Sequence, residues 1–412
     1  GGPPLVLVGG PGSGKSALLA NWLQQFQVKH PDTLIFQHYV GATPTSSDWQ
    51  NLVLHLLAET GDWSRVEFRS SGPTARGPTA RARLPSHLHL ALGMLRDTPC
   101  VVVLDGLEQL EDREGALDLT WLPSNVPPAV RLVVSAAPGH QCDTLRNRGW
   151  TVLDLGPLQP VERAVAVEAW LSTYAKALSP DHVQLIAASN QCGNPLFMTL
   201  LLNELRQHGD HFTLRSSLLA LLGAPEISAL IDRIFTRLES DFDGERRGLV
   251  RDAMALLWAS RQGLSEPELL DLLGGGDCPM PTALWAPLGL AAEPLLIRRG
   301  GLVALRPGTR SVVELRYLQT GDAQTAAQRK LAVYFSEQEP GARVMDELPG
   351  LLAALGEWAR LAERLADVPF ALAMHFRDRY EFLRLLREVE RQGVAAEVIY
   401  ADLMRNPKLH EE

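Results

Sequence analysis

Residues Gly9 to Ser16 read Gly-Gly-Pro-Gly-Ser-Gly-Lys-Ser, the pattern G-x-x-x-x-G-K-[ST], and follow directly on the apolar run Leu5-Val6-Leu7-Val8. A loop that wraps a phosphate chain has to aim successive backbone N–H groups inward, which glycine allows at little steric cost. Gly9, Gly10, Pro11, Gly12, Ser13 and Gly14 are read as that loop, with Gly12 and Gly14 supplying the freedom. Lys15 then reaches the β- and γ-phosphates as a point charge, and Ser16 offers its hydroxyl to Mg²⁺. Ala17 completes the phosphate-binding stretch as the helix begins, where the dipole favours an anion. The expected ligand is ATP or ADP with Mg²⁺.

A second acidic element is Cys100-Val-Val-Val-Leu-Asp105-Gly-Leu-Glu108. An apolar strand ending in a carboxylate presents it at the ligand-binding edge of a doubly wound sheet. Asp105 is expected to hold Mg²⁺ through water, and Glu108 to reach the attacking water as general base. The competing reading for both is a capping or surface carboxylate in the turn after the strand.

These residues need a scaffold of alternating strands and helices. Apolar β-branched runs at residues 5–8, 34–36, 101–104 and 132–134 alternate with helical stretches, which predicts a parallel sheet covered on both faces. After the phosphate loop, Leu18, Leu19, Trp22, Leu23 and Phe26 recur with helical period on one face. Between the second and third runs, Gly72-Pro-Thr-Ala-Arg76 is repeated at once as Gly77-Pro-Thr-Ala-Arg81. That duplicate has nothing apolar to bury and reads as a disordered surface loop, not as the source of a trans-acting arginine.

From about Pro157 helices take over. Ser179-Pro180 and Asn194-Pro195 each start one as N-cap and first residue. Ser265-Glu-Pro-Glu268 is a capping box, followed by strand-like segments at 295–298 and 302–305, and a short helix set with a hairpin reads as a winged helix. Beyond Asp322 the pairs Val344–Leu355 and Trp358–Leu365 look like the start of a helical-repeat array. The fold class is therefore α/β. The divisions are 1–156 as a P-loop nucleotide domain, 157–224 as a helical lid, 225–320 as a winged-helix domain and 321–412 as a helical region.

The 412 residues suggest two to four domains, and 46% hydrophobic content makes them globular. A formal charge of −9 disfavours nucleic acid as the main partner. Cys100, Cys142, Cys192 and Cys278 have no metal-site spacing and read as packing residues of a reduced, cytoplasmic protein. His87 and His89 are two apart in a helical region and cannot share a face as a metal pair. Trp49, Trp63, Trp121, Trp150, Trp170, Trp258, Trp285 and Trp358 read as core anchors. No apolar run approaches a membrane span. The chain opens almost on its first strand, as a piece of something larger would. The absence of an Asn-Lys-x-Asp motif favours adenine over guanine.

Over nearly its whole length the chain resembles the STAND class of P-loop NTPases, and within it the NACHT-like modules of nephrocystin and a telomerase-associated protein. Besides the two phosphate motifs, the resemblance rests on Phe36-x-His38-Tyr-Val-Gly41-Ala-Thr-Pro-Thr-Ser-Ser47, Trp121-Leu-Pro123, Val130-Arg-Leu-Val-Val-Ser135 and Asn194-Pro-Leu-Phe197. Gly263-Leu-Ser-Glu266 and Leu331-Ala-x-Tyr-Phe335 extend it. The resemblance implies an ADP/ATP-controlled switch, with Pro195, behind Gly193, against the adenine. It also implies protein partners on the helical C-terminal region, self-assembly in the ATP state and a cytoplasmic, cilium-associated location.

Three departures bear on activity. Where many STAND proteins carry Thr-Ser-Arg, this chain has Ser135-Ala136-Ala137, so Ser135 can donate a hydrogen bond but no arginine there senses the γ-phosphate. Alignment places Arg306, a permanent cation, where the class often has a histidine near the ADP β-phosphate. Glu108 is followed by neutral Gln109 where a paired acid is common. The leading expectation is a switch with slow ATPase activity. A non-catalytic scaffold with structural ADP is the alternative, and a motor on nucleic acid is opposed by the charge and the missing arginines.

Overall fold

The computed structural model describes residues 3–42, 46–59, 84–95, 98–112, 115–275, 278–377 and 379–393. The duplicated segment Gly72–Arg81, Trp63 and the last nineteen or so positions lie outside them. The chain divides into two compact units, Gly1–Leu222 and Gly223–Glu412.

The first unit is built on a five-stranded parallel sheet of β1 (Leu5–Val8), β2 (Leu34–Tyr39), β3 (Cys100–Asp105), β4 (Val130–Ala136) and β5 (Thr151–Asp154), in the order β2-β3-β4-β1-β5. Side chains alternate across a strand with period two, so each central strand feeds two cores. Val102 and Leu104 of β3 join Val6, Val8, Leu132 and Val134 in the larger one. Val101 and Val103 join Leu7 and Val133 in the smaller. The larger core is closed by helices Trp49–Glu59 and Leu84–Met94, with Trp49 and Trp121 stacked at 5.7 Å. The smaller is closed by Leu19 and Leu23 of the helix after the phosphate loop, Lys15–Lys29.

Two sequence expectations are corrected here. Leu18 and Trp22, which the helical period put on the buried face, are 45% and 37% exposed. The edge of that helix that meets the sheet carries Leu19 and Leu23, with Phe26 partly buried beside them. The other correction is β5, which the apolar runs did not disclose. It is a short edge strand with mostly exposed side chains, held by backbone pairing to β1.

Helices follow, at His140–Asn147, Pro160–Ser172, Pro180–Ala188, Pro195–Gln207 and Leu214–Leu222. Their packing turns on a buried Arg163, whose guanidinium donates to the carbonyls of Leu158, Ala187 and Ser189 at 2.7, 3.0 and 2.8 Å. One planar cation with five donors thereby ties three chain segments together. Asn194 caps its helix as expected, accepting from Leu196 N at 2.9 Å and Phe197 N at 3.4 Å. Ser179 makes no such cap; its hydroxyl pairs with His182 instead.

The second unit begins with helices Ile227–Phe242 and Leu249–Ala259, followed by β6 (Leu264–Ser265), helices Glu266–Leu273 and Thr282–Ala291, and a hairpin of β7 (Leu296–Arg299) and β8 (Leu302–Leu305). The three strands form one antiparallel sheet in the order β6-β8-β7. The capping box at Ser265 and Glu268 forms in both directions. Helix Pro307–Tyr317 then returns to the first helix, where Arg316 pairs with Asp232 at 2.5 Å and Glu239 at 2.6 Å. The remaining helices are Gly321–Glu337, Ala342–Ala354, Trp358–Ala366, Val368–Arg377 and Arg379–Arg391.

Polar contacts join this last set to the hairpin region. Glu347 is fully buried and accepts from Arg261 N at 2.8 Å and Gln262 N at 2.9 Å, with Arg343 beside it at 3.5 Å. Burial pushes its carboxyl above the usual range, opposed by the two backbone donors and by Arg343. Arg343 also forks onto Glu268 and the Gly263 carbonyl.

Other expectations need adjustment. Cys100, Cys142 and Cys192 are buried as packing residues, but Cys278 is exposed. Burial raises the Cys100 and Cys192 thiols to about 11. Trp49, Trp121, Trp150, Trp258 and Trp285 are core residues, whereas Trp170 and Trp358 are half-buried. Among the described residues no helix is long and apolar enough to cross a membrane.

Truncating Glu347 leaves two backbone donors and a guanidinium without their acceptor inside a packed core. Glu347→Ala should therefore cost about 3 kcal/mol of stability. Urea unfolding followed by circular dichroism measures it as a lower midpoint.

Candidate functional site

Strand register brings the chemistry to one edge. Val8 of β1 lies opposite Ala136 of β4, and Leu104 of β3 opposite Val134, so Gly9, Asp105 and Ser135 all emerge at the C-terminal ends of adjacent strands. The phosphate loop leaves β1 there and turns through Gly12 (φ +75°) and Gly14 (φ +93°), a left-handed region that side chains disfavour. Gly14 is the N-cap of helix Lys15–Lys29, so the free N–H groups of the first turn, including those of Ser16 and Ala17, face the loop's opening.

Lys15 is buried, 8% exposed, and its Nζ donates to the Gly9 carbonyl at 2.7 Å. Glu108 Oε1 lies 3.3 Å from the same nitrogen. Glu108 sits in a 3-10 turn, Leu107–Gln109, entered through Gly106 in left-handed backbone (φ +80°). That turn swings the glutamate back over the strand ends toward the phosphate loop. Its other oxygen, Oε2, and Ser13 Oγ are both buried with no hydrogen-bond partner. Buried polar atoms left unpaired are costly, and a cradle of Lys15, Ser13 and Glu108 is the donor and acceptor set that a polyphosphate and its water would satisfy.

Asp105 and Ser135 are locked together. The Ser135 hydroxyl, fully buried, donates to Asp105 Oδ1 and accepts from Gly106 N at 2.8 Å. A hydroxyl has one proton. In this arrangement the proton that the sequence reading assigned to a nucleotide contact goes to Asp105. Asp105 itself is 4% exposed at the sheet edge, with the Ser16 hydroxyl exposed on the helix opposite. Carboxylate and hydroxyl oxygens are the hard ligands Mg²⁺ takes, and Asp105 and Ser16 are the pair that would hold it.

Pro195 also reaches the loop. A side chain on Gly14 would come 3.7 Å from Pro195 Cγ, while one on Gly12 would clash with Leu196 at 2.7 Å and Asn194 Oδ1 at 2.8 Å. Asn194 Nδ2 donates to the Pro11 carbonyl at 3.0 Å and Leu196 N to the Gly12 carbonyl at 3.2 Å. Asn194 and Leu196 are thus loop neighbours that sequence reasoning passed over in favour of Pro195. The turn after β2 adds Gly41, left-handed at φ +76°, packed on the Gln109 side chain, which is also against Gly106. Arg306 belongs to the second unit, as N-cap of helix Pro307–Tyr317 directly after β8. Burial and the nearby Arg299 lower its pKa, with Glu293 opposing.

Residues 1–135 match the family described as the AAA ATPase domain. The chain is 27% identical over 401 residues to a TPR repeat-containing protein of Dictyostelium discoideum, covering 89% of this chain and 24% of that protein. It is 26% identical over 417 residues to human nephrocystin-3, covering 98% of this chain and 30% of the relative. Among solved structures it shares its fold with a STAND protein carrying a tetratricopeptide repeat sensor from Pyrococcus horikoshii, at TM-score 0.59 and 12% identity, covering 100% of this chain and 54% of that one. The chain is thus similar to nephrocystin-3 and to NACHT-domain proteins over most of its length, with the AAA ATPase match in its first third and the fold of a STAND protein. It spans about a quarter to a third of the length of these curated relatives.

One histidine beside this edge has its pKa depressed by the fold. The buried ring of His38, on β2, donates from Nε2 to the Ser46 carbonyl at 2.9 Å. Burial lowers its pKa below the ordinary 6.5, the Ser46 bond opposes this, and His55 adds to the lowering. A histidine depressed in the folded state stabilises above its unfolded pKa and loses that contribution as pH falls. The unfolding midpoint should therefore drop as pH falls from about 7.5 through the ordinary histidine pKa and below it, and His38→Gln should flatten that dependence. Urea titrations of both proteins across that window measure the difference.

Proposed function

We propose that this module is an ATP/ADP-binding switch with slow ATPase activity, whose nucleotide state sets the arrangement of its domains and the assembly of protein partners. The observation that carries it is the placement of Glu108, with Oε1 3.3 Å from Lys15 Nζ and Oε2 buried and unpartnered. A carboxylate there is positioned to accept a proton from a water next to the γ-phosphate. Asp105 and Ser16 are its metal-side partners on this reading. Turnover is slow because Ser135-Ala136-Ala137 supplies no arginine to neutralise charge in the transition state.

The helix–strand–helix–helix–hairpin order over residues 249–305 supports the winged-helix assignment, with divisions near 157, 225 and 321. The paired helices from Gly321 onward are the partner-binding surface, in keeping with repeat-bearing relatives. The resemblance gives Arg306 a role at the diphosphate. A soluble, cytoplasmic setting fits this reading. The scaffold alternative is favoured by one observation, the commitment of the Ser135 proton to Asp105, which removes a phosphate sensor.

Lys15→Ala removes the cation of the loop and should reduce affinity for ADP and ATP by at least about a hundredfold. Titration calorimetry reads this directly. Glu108→Gln should slow single-turnover hydrolysis by about a hundredfold or more while the protein still binds ATP. Hydrolysis by the unsubstituted protein no faster than background would leave the scaffold reading standing instead.

A further inference from the structure

A phosphate loop has two sides. Its N–H groups must face the anion, and its carbonyls must then face away, where a protein donor that fixes one of them also fixes the turn of the loop. The carbonyl of Gly9 takes Lys15 Nζ, that of Gly10 takes Ser13 N at 3.2 Å, and that of Gly14 takes Leu18 N at 2.9 Å. Those three partners are local. The carbonyls of Pro11 and Gly12, at the crest of the loop, have no local donor and are served from 183 or so residues away, by Asn194 Nδ2 and Leu196 N.

We propose that Asn194 is a positioning residue of the phosphate loop, its side-chain amide holding the Pro11 carbonyl outward so that the crest N–H groups face the phosphates. This rests on the reading that nucleotide binds at Gly9–Ser16.

The geometry fixes which way the amide points. Its oxygen accepts from Leu196 N and Phe197 N, so its nitrogen must be the atom at Pro11. A flipped amide would set NH₂ against two N–H donors. Leu196 N is shared between Asn194 Oδ1 and the Gly12 carbonyl, which joins cap and loop in one network. Gly12 completes the seat, since a side chain there would meet both Leu196 and Asn194, and its φ of +75° suits glycine. One amide therefore does two separable jobs. Its oxygen caps a helix and its nitrogen shapes the loop.

Separability makes the test clean. Asn194→Asp keeps a good capping oxygen but loses the donor, and Asn194→Ser keeps a neutral cap with no group long enough to reach Pro11. Using the whole chain, ADP affinity is measured by calorimetry and thermal stability by melting without nucleotide, with Lys15→Ala as the non-binding control. Both Asn194 variants are expected to bind ADP about tenfold more weakly, with melting temperatures within about 3 °C of the unsubstituted chain. The serine variant removes added charge as the explanation of the aspartate result. Wild-type affinity in Asn194→Ser overturns the positioning role, as does an affinity loss matched by a large fall in melting temperature in both variants. If the unsubstituted chain binds no ADP, the phosphate-site reading falls and this role falls with it.

Discussion

The constraint on which the first unit depends is that one short loop must present N–H groups to an anion while every carbonyl it turns away is satisfied. The sheet supplies the position, because β1 ends where β3 and β4 end. The helix after Gly14 supplies the dipole and its unpaired N–H groups. The helical segment around Asn194 supplies the donors that keep Pro11 and Gly12 facing outward. Remove any of the three and the loop has no reason to hold this shape. A glycine-rich segment left to itself would sample many others.

Charge at this edge is arranged in pairs that share a partner. Lys15 is divided between a loop carbonyl and Glu108, so the glutamate proposed for proton transfer is also a counter-ion of the loop's cation. Asp105 is held by Ser135, whose hydroxyl is in turn fixed by Gly106 N at the entrance to the Glu108 turn. Ser135 therefore ties Asp105 to the backbone where the Glu108 turn begins.

The second unit is organised by a different principle. Its three-stranded sheet is small, and much of its internal connection is ionic. Glu347 reaches back to Arg261 N and Gln262 N just before β6, Arg343 forks onto the helix that follows it, and Arg261 pairs with Glu381 at 2.8 Å. Pairs this far apart in sequence make the hairpin region and the C-terminal helices one body, as the compact unit from Gly223 onward indicates. Buried charge demands exact partners, so the unit resists partial rearrangement more than an apolar seam would.

Much of this was legible from residues alone, and for a definite reason. The phosphate loop, the strand ending in Asp105, the helix starts at Pro180, Pro195 and Glu266 and the hairpin strands are all set by local chemistry: glycine spacing, apolar runs and caps. Local rules fail where burial depends on what lies opposite. Helical period alone could not tell that Leu18 and Trp22 face outward, because the helix meets the sheet along a narrow edge of Leu19, Leu23 and Phe26. Edge strand β5 carries too little apolar signal to be read, and its pairing to β1 creates it. At the site, the residue types were readable but their partners were not. That Ser135 gives its proton to Asp105, and that Asn194 reaches Pro11 across 183 positions, are consequences of strand order and helix packing, which no spacing along the chain encodes.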